Sequence, residues 1–267
     1  MATILITGAT DGIGFETAKK LASRGYTLLL HGRSAEKLKT ATAAIREAYP
    51  DAALQTYRAD FAALPDVAAM AEKIAQDHDR IDVLINNAGV LKLPQPILAN
   101  GHDARVVVNT FAVDVLTRGL LPIIASQGRV VTLSSAAQSP VDIALMTGKG
   151  GNADAMDAYA QSKLAVTMWS RAMALAHPQG PTFIAVNPGS LLASKMVREG
   201  FGVAGKDLSI GADILVRSAE DAEFAAMSGR YFDNDARDWG RPHPDAEDDA
   251  RSAEMARLIN ETAATLL

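Results

Sequence analysis

The chain has 267 residues, 48% hydrophobic and 21% charged, with a formal net charge of −5, which suits one soluble domain with a substantial core. The acidic balance argues against a protein that tracks nucleic acid phosphates, since such proteins carry a basic footprint. With no cysteine, disulfides, thiolate zinc sites and a cysteine nucleophile are excluded, and a cytoplasmic location is expected.

Thr3–Thr7 (TILIT) is predicted as a buried strand, and the glycine-rich turn after it leads into a helix ending near Gly25. Tyr26–Leu30 is the second strand, and Ser34 is placed to N-cap a helix reaching about Ala48. A third strand covers Leu54–Arg58, and a helix follows Leu64-Pro65. Ile81–Ile85 is strand four, stopped by Asn86-Asn87-Ala88-Gly89, and a long helical stretch covers about Gly101–Leu121. Gly128–Leu133, a helix over Asp157–Ala176, and Thr182–Val186 come next. From Arg217 the chain is polar and less regular, with a short strand at Gly229–Phe232 and a closing helix around Ala246–Leu266. Continuously apolar strands alternating with helices predict a single α/β domain over 1–267. Its core would be a Rossmann-type doubly wound parallel sheet of about seven strands with helices on both faces. No apolar run reads as an integral membrane segment, and MATILITGATDGIG lacks the basic n-region of a signal peptide.

Between the first strand and helix lies Thr7-Gly8-Ala9-Thr10-Asp11-Gly12-Ile13-Gly14. Glycines there let the backbone turn sharply and approach a pyrophosphate, whose charge the helix N-terminus then meets. The alternative is a tight turn with no ligand. The second strand ends His31-Gly32-Arg33-Ser34, without the acid that reads free ribose hydroxyls. Arg33 offers a planar fork for a 2′-phosphate, so NADP (NADPH) is preferred and NAD is less favoured. The bland rival is an exposed arginine at a helix start.

Tyr159 and Lys163 stand four residues apart in a predicted helix, hence on one face. A phenol with a free pKa near 10 is a poor acid/base at neutral pH, and a neighbouring ammonium together with a positively charged nicotinamide nearby is expected to lower it. Alone, this pairing is weak, because such pairs occur by chance on many helix surfaces. His31, His78, His102, His177 and His243 are scattered without ligand spacing, so no metal site is expected. Met168, Trp169 and Met173 read as core.

Taken in order, TGATDGIG, the Asn-Asn-Ala-Gly of 86–89, Ser134-Ser135, Tyr159 with Lys163, and Asn187-Pro188-Gly189 resemble the short-chain dehydrogenase/reductase family over about residues 2 to 195. The resemblance implies an oxidoreductase moving a hydride between NADP(H) and a secondary alcohol or carbonyl compound. It implies that Gly8, Thr10, Asp11, Gly12, Ile13 and Gly14 form the pyrophosphate turn, and that Asp60 and Phe61 meet the adenine. Asn87, Ala88 and Gly89 would lie against its ribose, and Pro188 and Gly189 would line the nicotinamide pocket. Tyr159 would be the acid/base, Lys163 the ribose-binding residue that tunes it, Ser135 the group that orients the substrate oxygen, and Asn109 the holder of a relay water. Ser134 is an alternative to Ser135, and a structural amide is the alternative reading of Asn109. Ser194 matches a carboxamide-binding residue only if one extra residue is allowed after Gly189.

The twenty-four positions from Ser135 to Tyr159 contain an insertion, Ser139 to about Asp154. Its Thr147–Asn152 part is expected to be flexible and without a regular element. The long gap is similar to the retinol-dehydrogenase-like and protochlorophyllide-reductase-like branch, which implies a bulky or apolar substrate. A substrate lid is expected around 190–210, most of it within Val197–Leu208. Pairing into a homodimer or homotetramer through the long helices flanking strand five is also implied. The competing readings are a non-catalytic NADP-binding sensor and a methyltransferase, neither of which has work for a tyrosine–lysine pair.

Overall fold

The computed structural model describes residues 1–150, 154–193, 196, 202 and 204–267. Six predicted strands form close to their expected positions: β1 Thr3–Ile6, β2 Thr27–Gly32, β3 Leu54–Arg58, β4 Ile81–Asn86, β5 Ile124–Leu133 and β6 Thr182–Asn187. β7 (Tyr231–Asp233) falls at the predicted C-terminal strand, and β8 (Asp238–Gly240) was not anticipated. The sheet order is β3-β2-β1-β4-β5-β6-β7-β8. All pairings are parallel except β7 with β8. β8 has only three residues, too few for a periodic signal, and Trp239 holds it by packing on Phe224 and Phe232.

The helices are α1 (Gly12–Ala22), α2 (Ala35–Ala48), α3 (Leu64–Asp77), α4 (Ala104–Val106), α5 (Ala112–Leu120), α6 (Ile143–Met146), α7 (Ala155–Ala176), α8 (Ser209–Glu220), α9 (Ala222–Ala225) and α10 (Asp249–Ala264). Alternate strand residues feed two cores. Leu5, Leu29, Leu84, Val130 and Phe183 face α3, α5, α7 and α10. Ile4, Ile6, Leu28, Leu30, Ile85, Val131 and Ile184 face α1, α2 and α8. Met168, Trp169 and Met173 are buried in the first of these cores, as expected. Ser34 caps α2, accepting from the Lys37 N–H at 3.3 Å. Ser34→Ala is expected to cost about 1 kcal/mol of stability in urea unfolding.

One expectation changes. Ala104–Ile123 is helical, long enough and apolar enough to cross a membrane by length and composition. Most of it is nevertheless buried inside the protein, and it carries the buried Asp103–Arg105 ion pair at its start. The C-terminal helix packs on the long helices that flank β5. α10 lies across α5 and α7, burying Met255, Ala256, Ile259 and Ala263. Asn260 Nδ2 reaches Asp114 Oδ2 at 3.2 Å, and Asp114 also accepts from Trp169 Nε1 at 2.7 Å. Arg171 of α7 is paired with Asp249 at 2.6 Å. α7 is therefore covered on this side by α10 of its own chain.

Candidate active site

The sheet order reverses direction between β1 and β4, and at such a point the strand C-termini leave a crevice. A cleft of about 560 Å³ opens there, lined from Gly8 at one end to Gly189 at the other. Gly8 and Gly12 have φ of +66° and +56°, which favour glycine. Gly14 is required for a different reason: a Cβ would stand 2.4 Å from both the Gly8 carbonyl oxygen and Asn87 Nδ2. Asp11 caps α1 through the Gly12 N–H at 2.7 Å. Thr7 Oγ1 accepts from the N–H groups of Asn87 (2.9 Å) and Ala88 (3.0 Å). Asn87 Nδ2 in turn donates to the carbonyls of Thr7 (2.8 Å) and Gly8 (3.2 Å). The Asn87 side chain thus fastens the turn, while Asn87, Ala88 and Gly89 line the cleft beside Thr10, Asp11, Gly12 and Ile13.

His31 ties this turn to the next strands. Its Nδ1 accepts from the Gly8 N–H at 3.2 Å, Nε2–H donates to the Ala59 carbonyl at 3.1 Å, and the ring stacks on Phe61 at 4.2 Å. Accepting at Nδ1 requires the neutral ring, and burial holds the His31 pKa down at about 4. Its ordinary value is 6.5, so the unfolded chain takes up the proton first. Stability is accordingly full above about pH 6.5 and declines as the pH falls toward 4. In urea unfolding as a function of pH, His31→Gln is expected to flatten that decline. Asp60 and Phe61 line the cleft, with Asp60 Oδ1 accepting from the Ala62 N–H at 3.0 Å. Arg33 also lines it; it is exposed, with no ion pair among the described residues.

At the other end, β5 delivers Ser134 and Ser135 opposite Tyr159 and Lys163 of α7. The two serines separate clearly. Ser134 is buried, with Oγ 2.6 Å from Thr167 Oγ1. Ser135 faces the cleft beside Tyr159 and accepts from the Ala137 N–H at 3.1 Å. Burial raises the Tyr159 pKa, and the Ser135 hydrogen bond pulls the other way. The expectation that Lys163 depresses that pKa is not met. Lys163 Nζ donates to the Leu133 carbonyl at 2.8 Å and lies 5.7 Å from the Tyr159 ring centre, and burial governs the phenol. Burial also lowers Lys163 to about 8. Gly89 sits between Asn109 and Lys163, where a Cβ would be 3.3 Å from Asn109 Oδ1 and 3.6 Å from Lys163 Nζ.

Asn109 lies in a π-helical turn, Val107–Phe111, that interrupts the helix between α4 and α5. Its amide brackets Val90, accepting from the N–H at 2.8 Å and donating to the carbonyl at 3.0 Å. Nδ2 is also 3.0 Å from Ser162 Oγ, which itself donates to the Tyr159 carbonyl at 2.7 Å. Asn109 therefore has a structural role of its own, joining the loop after β4 to the Tyr159 turn of α7.

The Asn187–Ser190 loop is held from the C-terminal side. Asp235 accepts from the Ser190 N–H at 2.9 Å and from Asn187 Nδ2 at 3.0 Å, and Asn234 Nδ2 donates to the Pro188 carbonyl at 2.9 Å. Ser194 lies outside the described residues, as does part of the expected lid. The Ala193 N–H donates to Lys206 O, and the Lys206 N–H to Leu191 O, both at 2.7 Å, so the stretch from 193 to 206 begins and ends together.

As expected, no regular element covers 147–150 of the insertion. α6 forms within it, the N–H groups of Lys149 and Gly150 fold back onto Ala144 O, and the Asp142 N–H donates to Gln161 Oε1 at 2.9 Å. Asn152, the end of the stretch expected to be flexible, lies outside the described residues.

Comparison with known proteins decides the family: the short chain dehydrogenase model matches residues 2–201. The chain belongs to the short-chain dehydrogenase family. Among curated members of this family, retinol dehydrogenase 13 of Homo sapiens is 32% identical over 282 residues, spanning 96% of this chain and 84% of the relative. Retinol dehydrogenase 12 of Bos taurus is 30% identical over 252 residues, spanning 90% and 79%. This short-chain dehydrogenase is therefore on the retinol-dehydrogenase-like side, as the long serine-to-tyrosine gap implied. Among solved structures, a protein from Mycobacterium paratuberculosis has a TM-score of 0.81 at 24% identity, covering 99% of this chain and 94% of its own, a likeness of fold. A short chain dehydrogenase from Burkholderia cenocepacia J2315 in complex with NADP has a TM-score of 0.68 at 25% identity, covering 87% and 95%.

Sequence reasoning missed His31, Gln138, Tyr231 and Asp235 as residues that shape this short-chain dehydrogenase site. Only His31 left a signal: a histidine closing an otherwise apolar buried strand.

Proposed function

We propose that this short-chain dehydrogenase interconverts a secondary alcohol and its carbonyl compound in the cytoplasm, with NADP(H) as cofactor and Tyr159 as acid/base. The observation that carries the reading is the meeting of Ser135, Tyr159 and Lys163 in the cleft that begins at the glycine turn. The cleft suits a dinucleotide: Gly8, Gly12, Gly14 and Gly89 leave open backbone where side chains would intrude. Asp11, Gly12, Ile13 and Gly14 at the α1 N-terminus would meet the pyrophosphate, Arg33 the 2′-phosphate, and Asp60 and Phe61 the adenine. Lys163 would hold the nicotinamide ribose, with Pro188 and Gly189 alongside the ring. When bound, the cofactor supplies or accepts the hydride.

The chain's own residues handle the proton. The raised pKa keeps Tyr159 a phenol at neutral pH, ready to give its proton to a substrate oxygen that gains charge. Ser135 would hydrogen-bond the same oxygen and hold it in line with the phenol. Asn109, bonded at Val90 and Ser162, keeps the π turn in register with the Tyr159 turn, and we assign it the relay water. The cleft wall near Tyr159 is apolar, with Val90, Leu91, Leu133, Met156 and Leu192, which suits an apolar substrate.

The test is a panel of ketones and aldehydes with NADPH, and of secondary alcohols with NADP⁺, followed at the nicotinamide absorbance band. Turnover that prefers apolar substrates is expected. Tight NADPH binding without turnover of any of them would favour a sensor.

A further inference from the structure

Ser135 lies two residues past the end of β5, and the Ser134 N–H to Val186 O bond at 2.8 Å is the last sheet-like tie before it. From there to Val141 the chain has no regular element, so beyond the Ala137 N–H at its hydroxyl the orientation of Ser135 depends on side chains. Its carbonyl receives two donors: Gln138 Nε2 at 2.9 Å and the Tyr231 hydroxyl at 3.2 Å. Gln138 Nε2 also reaches Ser134 Oγ at 3.3 Å, and Gln138 Oε1 accepts from the His243 N–H at 2.9 Å. Tyr231 is buried on β7, whose pairing with Ala185 of β6 fixes its position, and burial raises its pKa so that the hydroxyl stays a donor. His243 Nδ1 accepts from the Asp245 N–H at 3.2 Å, capping the short turn that leads into α10. Neither Gln138 nor Tyr231 lines the cleft.

We propose that Gln138 and Tyr231 are positioning residues that clamp the Ser135 carbonyl from behind and aim its hydroxyl at the substrate oxygen. The C-terminal segment from β7 to His243 is then part of the catalytic apparatus. The proposal rests on the reading of Ser135 given above. With one donor removed the other still holds the carbonyl; with both removed the carbonyl is unheld and only the Ala137 N–H at the hydroxyl, at 3.1 Å, restrains Ser135. Small misplacements at a reacting centre cost up to about a hundredfold in rate.

The experiment compares Gln138→Met, Tyr231→Phe and their double variant, each made in the wild-type chain and in Ser135→Ala. kcat and KM are measured with NADPH and the best carbonyl substrate of the panel, and thermal unfolding reports folding. We expect small losses for the single variants and a fall in kcat of roughly ten- to a hundredfold for the double, with KM for NADPH within about twofold. In the Ser135→Ala background the same pair should have no further effect, because the group it aims is gone. Wild-type kcat in the folded double variant, or an equal loss with and without Ser135, would overturn the clamp while leaving the site reading intact. Undiminished activity of Ser135→Ala would overturn the reading of Ser135 and the clamp with it.

Discussion

Tyr159→Phe is expected to lower turnover by about a hundredfold to ten-thousandfold, the range for removing a positioned acid/base, while NADPH affinity stays within a few-fold. The ring packing is kept and only the hydroxyl is lost, so the change isolates the proton. The pH dependence should carry a sign. Burial dominates the Tyr159 pKa and pushes it up, with the Ser135 hydrogen bond only partly opposing it. At neutral pH the group is therefore a proton donor, and carbonyl reduction should run without prior ionisation. Alcohol oxidation needs the phenolate and should climb as the pH rises. A pH–rate profile in both directions checks this, and oxidation that falls with rising pH would contradict the assignment. Lys163, lowered to about 8 by burial, loses its charge over part of the same range, so that limb belongs to the pair.

Arg33→Ala should weaken NADPH binding by roughly tenfold to a hundredfold, since a hydrogen bond to a charged partner contributes about 1.5–3 kcal/mol. NADH should be nearly unaffected. Arg33 is exposed at the end of β2 with no ion pair among the described residues, so its removal orphans no neighbour. Titration of both dinucleotides into wild type and variant measures the difference. Equal losses for the two would mean that Arg33 meets a part common to both, and the 2′-phosphate assignment would fall.

The legible part of the fold was the part written in local pattern. TILI, TLLLHG and TFIAVN are continuously apolar or nearly so, because parallel strands are covered on both faces. β5 starts earlier than predicted because Ile124–Gln127 adds a partly polar lead, paired to β4 only through Ile124 before the register shifts. In the site, the glycines and the tyrosine–lysine pair were readable because their chemistry depends on spacing along one element. Tyr231 and Asp235 were not, because their partners are distant in sequence, and Gln138 was not, because its nearby contacts to Ser134 and Ser135 form in a stretch with no regular element. Tyr231 and Ser135 are separated by 96 positions. The sign of the Tyr159 shift was unreadable for the same reason, since burial comes from the whole fold.

The most direct measurement uses NADPH deuterated at the transferable position of its nicotinamide, incubated with the carbonyl substrate that turns over fastest. Mass spectrometry of the product then reads the outcome. The account predicts one deuterium on the former carbonyl carbon with the wild-type chain, and almost none in the same time with Tyr159→Phe despite equal cofactor binding. Product lacking the label, or equal labelling by both proteins, would contradict it.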